Sequence, residues 1–236
     1  MRKDFFTFGD IDSRQYEVGI YGNKLADPPE RDREFISVPG KNGDIIVDNG
    51  RYRNKVIPYK AYIINKYNAN VGGLRNALLS KKDYQRLEDS INPDQFRMGI
   101  ALPFEVDEAG ILRAGEFTIQ FNCKPQRYLK SGEQDIEITS ASSIFNEYTE
   151  TALPLIRAYG TGSFSIGGVA VQITSANSYT DIDCELMEAY KDTLATNCNS
   201  NIVPTNGKFP QLVSGENAVT LSGITKLVIK PRWWIV

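Results

Sequence analysis

The sequence contains no histidine among its 236 residues, and this absence removes several classes of enzyme chemistry. A Ser-His-Asp triad, a Cys-His pair, a His-ligated zinc site and an imidazole acid–base catalyst all need that side chain. Catalysis by carboxylates, lysine, tyrosine or cysteine stays open. The composition therefore narrows the possible enzymatic functions without excluding every one of them.

Cysteine is scarce, and long apolar runs are lacking. The three cysteines are an odd number without a C-x-x-C motif, which favours reduced thiols in a protein that folds in a cytosol. No apolar run approaches the roughly 18 residues of a membrane-spanning helix, so we expect no membrane insertion. The opening MRKDFFTFGDIDS becomes acidic before an apolar core could form, which predicts no secretory signal peptide.

The charge is nearly balanced overall but unevenly distributed along the chain. The net charge of −2 is too close to neutral to indicate a nucleic-acid partner. Residues 1–130 contain 21 basic and 18 acidic side chains, whereas residues 131–236 contain 6 and 11 and are richer in Ser, Thr, Asn and Gly. Together with the length, this shift predicts two domains, 1–130 and 131–236, although two faces of one domain would give the same counts.

The first part shows one helical pattern among short strands. Apolar residues Val71, Leu74 and Leu78 share one helical face, and Asn70 before them is a candidate N-cap. Turn signals at Asn42-Gly43 and Asp48-Asn49-Gly50 bound a short predicted strand. Strict alternation over residues 116–121 predicts a strand with one buried face.

The second part predicts an antiparallel β-sandwich. Residues 163–172 form a hairpin around Gly167-Gly168, in which Ile166 pairs with Val169 on the apolar face. This register separates apolar from polar side chains without any adjustment. Further short strands follow at close spacing, which is typical of a sandwich. The predicted fold class is therefore mainly β, with one helix.

Three acids alternate with apolar residues on a predicted strand of the second part. Asp181, Asp183 and Glu185 would share one face, which suggests a calcium site or a pair of hydrolase carboxylates. A solvated strand face next to a core face gives the same alternation, and we prefer this interpretation. The neighbouring Asp side chains would also be parallel and about 7 Å apart, a poor arrangement for flanking a scissile bond.

Aromatic and basic residues give weaker signals. Trp233 and Trp234 are adjacent on a strand-like run, so we expect one in the core and Trp234 exposed, for stacking on a sugar or anchoring a protein contact. Cys123 precedes a basic segment, but without histidine a buried structural thiol is the better interpretation. Arg51-Tyr52-Arg53 lies close to acidic residues, which argues against a continuous nucleic-acid patch.

An ordered set of short motifs runs through the whole chain. Its members are FTFG at 6–9, PER at 29–31, ISVPGKNGD at 36–44, DNGRY at 48–52, IPY at 57–59, YQRLED at 84–89, NPDQFR at 92–97, FNCKPQRYL at 121–129, FPQL at 209–212, GEN at 215–217 and PRWW at 231–234. No single motif is decisive. In this order, they resemble the distal tail protein family of siphophages that infect Gram-positive bacteria.

The resemblance implies a particular architecture and function. The N-terminal domain, 1–130, would be a belt that closes into a homohexameric ring, and the C-terminal domain, 131–236, a galectin-like β-sandwich at the periphery. The protein would be a structural hub of the baseplate at the virion tail tip, assembled in the host bacterial cytoplasm. It would have no catalytic residue, cofactor or metal, and it would take part in host adsorption without being an enzyme.

The resemblance also implies partners. These are the major tail or tube protein, a tail-associated lysin or tail-tip hub protein, and a receptor-binding or fibre protein, with DNA only in transit through the ring lumen. The sandwich lacks the long insertion that forms an arm in larger relatives. Under this interpretation we expect ring or partner contacts at Arg14, Tyr16, Arg51, Tyr52 and Arg53.

Two other functions stay open on the sequence. A galectin-like fold does not imply sugar binding, and the histidine-containing residue set of galectins cannot be assembled here. A carbohydrate-binding module that recognises cell-wall saccharide would instead depend on Trp233 and Trp234. A carboxylate-based cell-wall hydrolase would depend on Asp181 and Asp183.

Overall fold

The computed structural model describes residues 4–22, 28–63, 67–104, 115–176 and 178–236. In these residues the protein is mainly β, with a single α-helix, which confirms the predicted fold class. The chain divides into two compact units, Met1–Arg127 together with Val236, and Tyr128–Ile235. No helix in the described part combines the length and the apolarity that a membrane crossing requires.

The first unit is built on an antiparallel sheet and a separate hairpin. Its strands are β1 (Phe6–Phe8), β2 (Ile11–Asp12), β3 (Val18–Tyr21), β4 (Arg31–Ile36), β5 (Ile45–Tyr52), β6 (Lys55–Ile63), β7 (Gln85–Asp89), β8 (Gln95–Ala101) and β9 (Glu116–Cys123). The large sheet has the strand order β2-β1-β7-β8-β9-β6-β3. Among the described residues, strands β4 and β5 pair only with each other, as a two-stranded sheet.

Aromatic side chains form the centre of the first core. Phe117, Ile119 and Phe121 of β9 are buried, as the alternation predicts, while the intervening residues are exposed. The Phe121 ring lies 5.6 Å from Phe6 and 5.0 Å from Phe8, between ring centroids. The core therefore lies on one face of the sheet, along β1, β6 and β9.

Helix α1 (Tyr67–Leu79) covers this core. Val71, Leu74 and Leu78 are buried in it, which confirms the apolar face predicted from their spacing. The predicted N-cap is wrong, because the helix begins at Tyr67 and Asn70 lies inside it. The spacing of apolar residues determines which face is buried but leaves the first residue of a helix undetermined.

A predicted turn in the first unit is also wrong. Asp48-Asn49-Gly50 lies within β5, where Gly50 has a φ of +70° and its N–H donates to Asp48 Oδ1 at 2.8 Å. The pairing shifts here, since Arg31 lies opposite Tyr52 but Arg33 lies opposite Asp48. The turn-like residues therefore form a β-bulge, which needs the same positive φ that a turn uses.

The second unit contains two antiparallel sheets. The strands of these sheets are β11 (Ile136–Ile138), β12 (Ser142–Asn146), β13 (Leu155–Tyr159), β14 (Gly162–Ile166), β15 (Val169–Ile173), β16 (Tyr179–Asp183), β17 (Glu188–Lys191), β18 (Thr193–Asn197), β19 (Ile202–Pro204), β20 (Gly215–Ser222) and β21 (Lys226–Lys230). Two short strands outside these sheets, β10 (Arg127–Leu129) and β22 (Trp234–Ile235), pair with each other. The sheet orders are β11-β21-β13-β16-β17-β18 and β12-β20-β14-β15-β19. Ile156 and Ile182 of the first sheet share one core with Phe164 and Val219 of the second, as in a sandwich.

The predicted hairpin of the second unit is confirmed residue by residue. Ile166 pairs with Val169 and Phe164 pairs with Val171 around Gly167-Gly168. Both glycines have positive φ, which a two-residue turn of this kind requires. Phe164, Ile166 and Val171 are buried in the core of the sandwich.

Candidate assembly interface

The β4–β5 hairpin exposes an unusual amount of apolar surface. Phe35 is 63% exposed and Ile46 is 58% exposed, and Ile36, Ile45 and Val47 are exposed as well. An isolated two-stranded hairpin is only marginally stable in water. Contiguous apolar side chains on a soluble protein mark surfaces that another molecule covers.

The apolar residues lie on both faces of this hairpin. Phe35 is directly opposite Ile46, and the next pair, Ile36 and Ile45, points to the other face because neighbouring strand residues alternate. Glu34 lies opposite Val47 and shares the face of Ile36 and Ile45. Packing against one flat surface would leave half of these side chains in water, so the hairpin is suited to insertion between surfaces.

Paired charges hold the base of the hairpin. The buried Asp32 carboxylate accepts a hydrogen bond from Arg51 Nε at 2.7 Å and from Arg53 Nε at 2.9 Å, and these bonds lower the pKa of Asp32. The guanidinium of Arg31 lies 4.6 Å above the Tyr52 ring. Three of the predicted contact residues, Arg51, Tyr52 and Arg53, therefore fix the hairpin from its base.

The other two predicted contact residues belong to a different element. Arg14 and Tyr16 lie in a 3-10 turn, Ser13–Tyr16. The exposed Arg14 forms an ion pair with Asp12, and its guanidinium lies 3.8 Å above the Phe5 ring. Tyr16 is partly buried and packs against the first core. A contact of these side chains with another chain stays a prediction.

Sequence reasoning missed the apolar tip of the hairpin. Segments 35–38 and 44–47 are recognisable as extended runs on either side of Asn42-Gly43. Their apolar residues are typical of a buried strand, and only the absence of a covering layer among the described residues makes them a surface. The sequence feature that could have revealed this projecting hairpin is the pair of extended runs with charged residues at their outer ends.

The acidic residues of the second unit correct another expectation. Asp181 and Asp183 are each 3% exposed, so the solvated strand face predicted for them is wrong. Arg157 binds Asp181 through two hydrogen bonds of 2.7 and 2.9 Å. Arg232 binds Asp183 in the same way, at 2.8 and 2.7 Å. The arginines come from distant positions in the sequence, and both carboxylates are committed to structural pairs.

The chemistry open to these acids is correspondingly limited. Strand β16 ends at Asp183, so Glu185 lies beyond the strand, and the Glu185 N–H donates to Asp183 Oδ1 at 3.0 Å. A general acid or nucleophile needs a carboxylate that can reach a substrate. In the described part of the chain, no group of three or more cysteines or acids is arranged to hold a metal ion.

Trp234, the aromatic that the sequence predicts to be exposed, is partly buried. Its side chain is partly buried against the sandwich core, and its indole N–H donates to the Thr151 carbonyl at 3.0 Å. Trp233 is 9% exposed and lies in the same core. A tertiary hydrogen bond therefore holds the polar edge of Trp234, and the stacking of a sugar on its ring face stays a prediction.

The three cysteines are free thiols, two of them buried. Burial raises the pKa of Cys123 to about 12 and raises that of Cys184 as well. Iodoacetamide at pH 8 is expected to alkylate native protein only at Cys198, because about 10⁻⁴ of Cys123 is ionised at that pH. Peptide mass spectrometry measures this, with the unfolded protein as the control that takes three adducts; two or more adducts on native protein would contradict the burial.

Comparisons with known proteins identify the fold. No family model and no curated protein matches this chain. Among solved structures, the crystal structure of the SPP1 Dit (gp 19.1) protein is similar over 97% of this chain and 98% of that chain, with a TM-score of 0.76 and 13% identity. That protein is described as a paradigm of the hub adsorption apparatus in phages infecting Gram-positive bacteria.

A chain in the phage p2 baseplate shows a weaker likeness. In the activated, strontium-bound baseplate, the match has a TM-score of 0.53 and 12% identity, and it covers 97% of both chains. The calcium-bound form gives a TM-score of 0.52 and 10% identity, with the same coverage. This protein therefore has a fold found in phage hub and baseplate proteins, and the likeness extends over almost the whole chain.

Proposed function

We propose that this protein is a structural hub of a phage tail tip, in which copies of the first unit join into a homohexameric ring through the β4–β5 hairpin. The observation that carries the proposal is the exposed apolar hairpin, in a chain whose whole length has the hub-protein fold. Its function is to bury surface and hold neighbours in place. The protein belongs to the virion tail tip and assembles in the host bacterial cytoplasm.

A ring is the expected outcome of such an interface. When a projecting element contacts a different surface on the next copy, the contact is head-to-tail and closes into a ring if the rotation allows. Burial of apolar area contributes about 25 cal/mol per Å², so covering the side chains at the tip favours association. The charged pairs at the base contribute more to the choice of partner than to affinity.

The second unit, in this proposal, is the peripheral galectin-like sandwich that anchors other tail proteins. Phe145, Leu194 and Val203 are exposed apolar side chains on its strands and support a docking role. The proposed partners are the major tail or tube protein, the tail-associated lysin or tail-tip hub protein, and a receptor-binding or fibre protein. DNA passes only through the lumen. The burial of Asp181 and Asp183 against arginines argues against the hydrolase alternative. Saccharide binding has less support than the hub function, because Trp234 is partly buried and its indole N–H is hydrogen-bonded within the fold.

The mass of the purified protein tests the ring. Six copies of the 26.4 kDa chain have a combined mass of about 158 kDa. Light scattering at increasing protein concentration should approach this mass, and negative-stain images should show closed rings. A strict monomer at the highest soluble concentration would contradict the proposal, as would open filaments.

A further inference from the structure

The dipeptide Asn-Gly occurs three times in the chain, at residues 42–43, 49–50 and 206–207. Its two residues can react with each other, because the glycine nitrogen can attack the side-chain carbonyl carbon of the asparagine. Glycine has no side chain to block this approach, and its backbone has more conformational freedom than that of any other residue. The structure places the three dipeptides in different backbone environments and so distinguishes their reactivity.

The reaction depends on a close approach of two atoms within the dipeptide. The glycine nitrogen must lose its proton and come within about 3–3.5 Å of the asparagine Cγ. A regular strand or a closed turn holds these atoms in another arrangement, so the backbone must first open locally. A glycine N–H that donates a hydrogen bond adds the cost of breaking that bond.

Asn42-Gly43 meets these requirements. It lies in the loop 37–44 between β4 and β5, and both of its residues are exposed. Neither residue forms a hydrogen bond with any residue that the structure describes. A Cβ atom built on Gly43 would have no atom within 4 Å, so no described residue packs against this part of the loop. The backbone can therefore rearrange here without losing contacts.

Asn49-Gly50 is also exposed, but hydrogen bonds hold it in place. It lies within β5, and the Gly50 N–H donates to Asp48 Oδ1 at 2.8 Å. The other carboxylate oxygen of Asp48 accepts from Arg33 Nε at 2.9 Å, and this contact lowers the pKa of Asp48. The nitrogen that would attack is therefore bonded to an ionised carboxylate that Arg33 fixes.

Asn206-Gly207 lies in a closed turn. The Lys208 N–H donates to the Thr205 carbonyl at 3.1 Å across this turn. Asn206 is in the left-handed conformation, with φ +55° and ψ +27°, which asparagine tolerates better than most residues. At this ψ, the Gly207 nitrogen points away from the Asn206 Cβ. The turn must therefore open before the two groups can meet.

We propose that Asn42 is a site of spontaneous deamidation, and that the fold protects the other two Asn-Gly dipeptides. The Gly43 nitrogen gives its proton to water or hydroxide and forms a bond to Asn42 Cγ, and ammonia leaves, which produces a five-membered imide. Water then opens the imide at either carbonyl and leaves an aspartyl or an isoaspartyl residue at position 42. The net reaction is hydrolysis of a side-chain amide.

The modification changes the exposed loop in two ways. A carboxylate replaces a neutral amide, so the formal charge of the chain goes from −2 to −3. The isoaspartyl product also adds one methylene group to the main chain between β4 and β5. This site is a property of the single chain and goes beyond the proposed hub function.

Incubation of dilute purified protein at pH 8 tests the proposal. Trypsin releases residues 42–51 as one peptide that contains both Asn42 and Asn49, and residues 192–208 as a peptide that contains Asn206. Fragment-ion mass spectrometry assigns the mass gain of each amide hydrolysis to its residue. In the folded protein, position 42 should react at least about tenfold faster than positions 49 and 206, because only those two need local opening. The reaction at position 42 should be slower at pH 6, since less of the Gly43 nitrogen is deprotonated.

Two controls separate the fold from the local sequence. In guanidinium chloride, the three positions should react at similar rates, because the protection that the fold provides is lost. Asn42→Gln should remove the fast reaction and leave the two slow ones unchanged, because glutamine would have to form a larger ring. Circular dichroism checks that this variant is folded.

Variants of Asp48 test the protection of Asn49. Asp48→Ala removes the acceptor of the Gly50 N–H and should raise the rate at position 49, with position 42 on the same peptide as the internal reference. Asp48→Ser is the matched control, because a serine hydroxyl can also accept from the N–H two residues further on, and it should keep position 49 slow. An unchanged rate at position 49 in folded Asp48→Ala would overturn the protective role of this hydrogen bond.

The rates decide the proposal as a whole. Equal rates at positions 42 and 49 in the folded protein would overturn it, as would a faster reaction at position 206. The same order of rates in guanidinium chloride would also overturn it, because the local sequence and not the fold would then determine the reactivity. The mass of the assembled protein tests the ring separately.

Discussion

A chain carrying Ile36→Glu and Ile45→Lys is expected to lose the ring and behave as a monomer of 26.4 kDa. These residues are directly opposite each other on the hairpin, and both are exposed. Opposite charges at the two positions keep the cross-strand pair attractive, so the hairpin itself should persist. Burying the new charges in an interface is unfavourable, and we expect association to weaken by about a hundredfold or more.

The control for this prediction is a comparable change on the second unit. Phe145→Glu replaces an apolar side chain that is as exposed as those of the hairpin tip, but outside the first unit. Light scattering and negative-stain imaging should show rings of wild-type mass for this control. Rings of wild-type mass from the hairpin variant would show that the exposed tip is not the assembly surface.

Arg232→Met is expected to lower the free energy of unfolding of the second unit by about 3 kcal/mol. The Asp183 side chain is only 5% exposed, and Arg232 supplies two of its hydrogen bonds. Removing the arginine leaves a buried carboxylate with backbone N–H donors but no cation. Urea unfolding followed by tryptophan fluorescence measures this selectively, because Trp233 and Trp234 both lie in the second unit.

Two further variants control for the loss of the side chain itself. Lys230→Met removes a cation that is 48% exposed and lies 3.9 Å from Asp135, so it should cost about 0.5 kcal/mol or less. Asp183→Asn combined with Arg232→Met should recover most of the loss, because no buried charge is then unpaired while the amide oxygen still accepts from the backbone. A cost for Arg232→Met no larger than that of Lys230→Met would contradict the structural role.

The same pair gives a pH dependence. Burial raises the pKa of Asp183, but the hydrogen bonds and charge of Arg232, with two backbone donors, outweigh it and lower the folded-state pKa. The stabilisation is therefore present above the unfolded-state pKa of about 3.9 and is lost as the pH falls through the lower folded-state value. The difference between wild type and Arg232→Met should shrink when measured at about pH 3 instead of pH 7.

The elements predicted correctly are those that local sequence specifies. Gly167-Gly168 permits positive φ at adjacent positions, and alternation on both sides leaves one acceptable register. Val71, Leu74 and Leu78 share a helical face wherever the helix begins. Asp48-Asn49-Gly50 was misassigned because a bulge and a turn need the same backbone conformation.

The candidate site is harder to predict because it depends on what covers each residue. In the sequence, Ile36 and Ile45 are apolar residues of the kind that strands bury in a core. Asp181 and Asp183 alternate with apolar residues, as acids on a solvent-exposed strand face do. The structure reverses both, with the isoleucines exposed and the acids buried under arginines. The burial of the acids depends on ion pairs between residues that are far apart in the sequence. Arg232, for example, follows Asp183 by 49 positions.

The sequence alone determined the mainly β class, the single helix and its buried face, the turn at Gly167-Gly168 and the exclusion of histidine chemistry. These follow from side-chain periodicity and backbone preference, which act over a few residues. Only the tertiary structure decided that the β4–β5 hairpin exposes its apolar residues and that Asp181 and Asp183 are buried against arginines. Exposure and ion pairing depend on which distant segments meet, and the packing of the whole chain determines this.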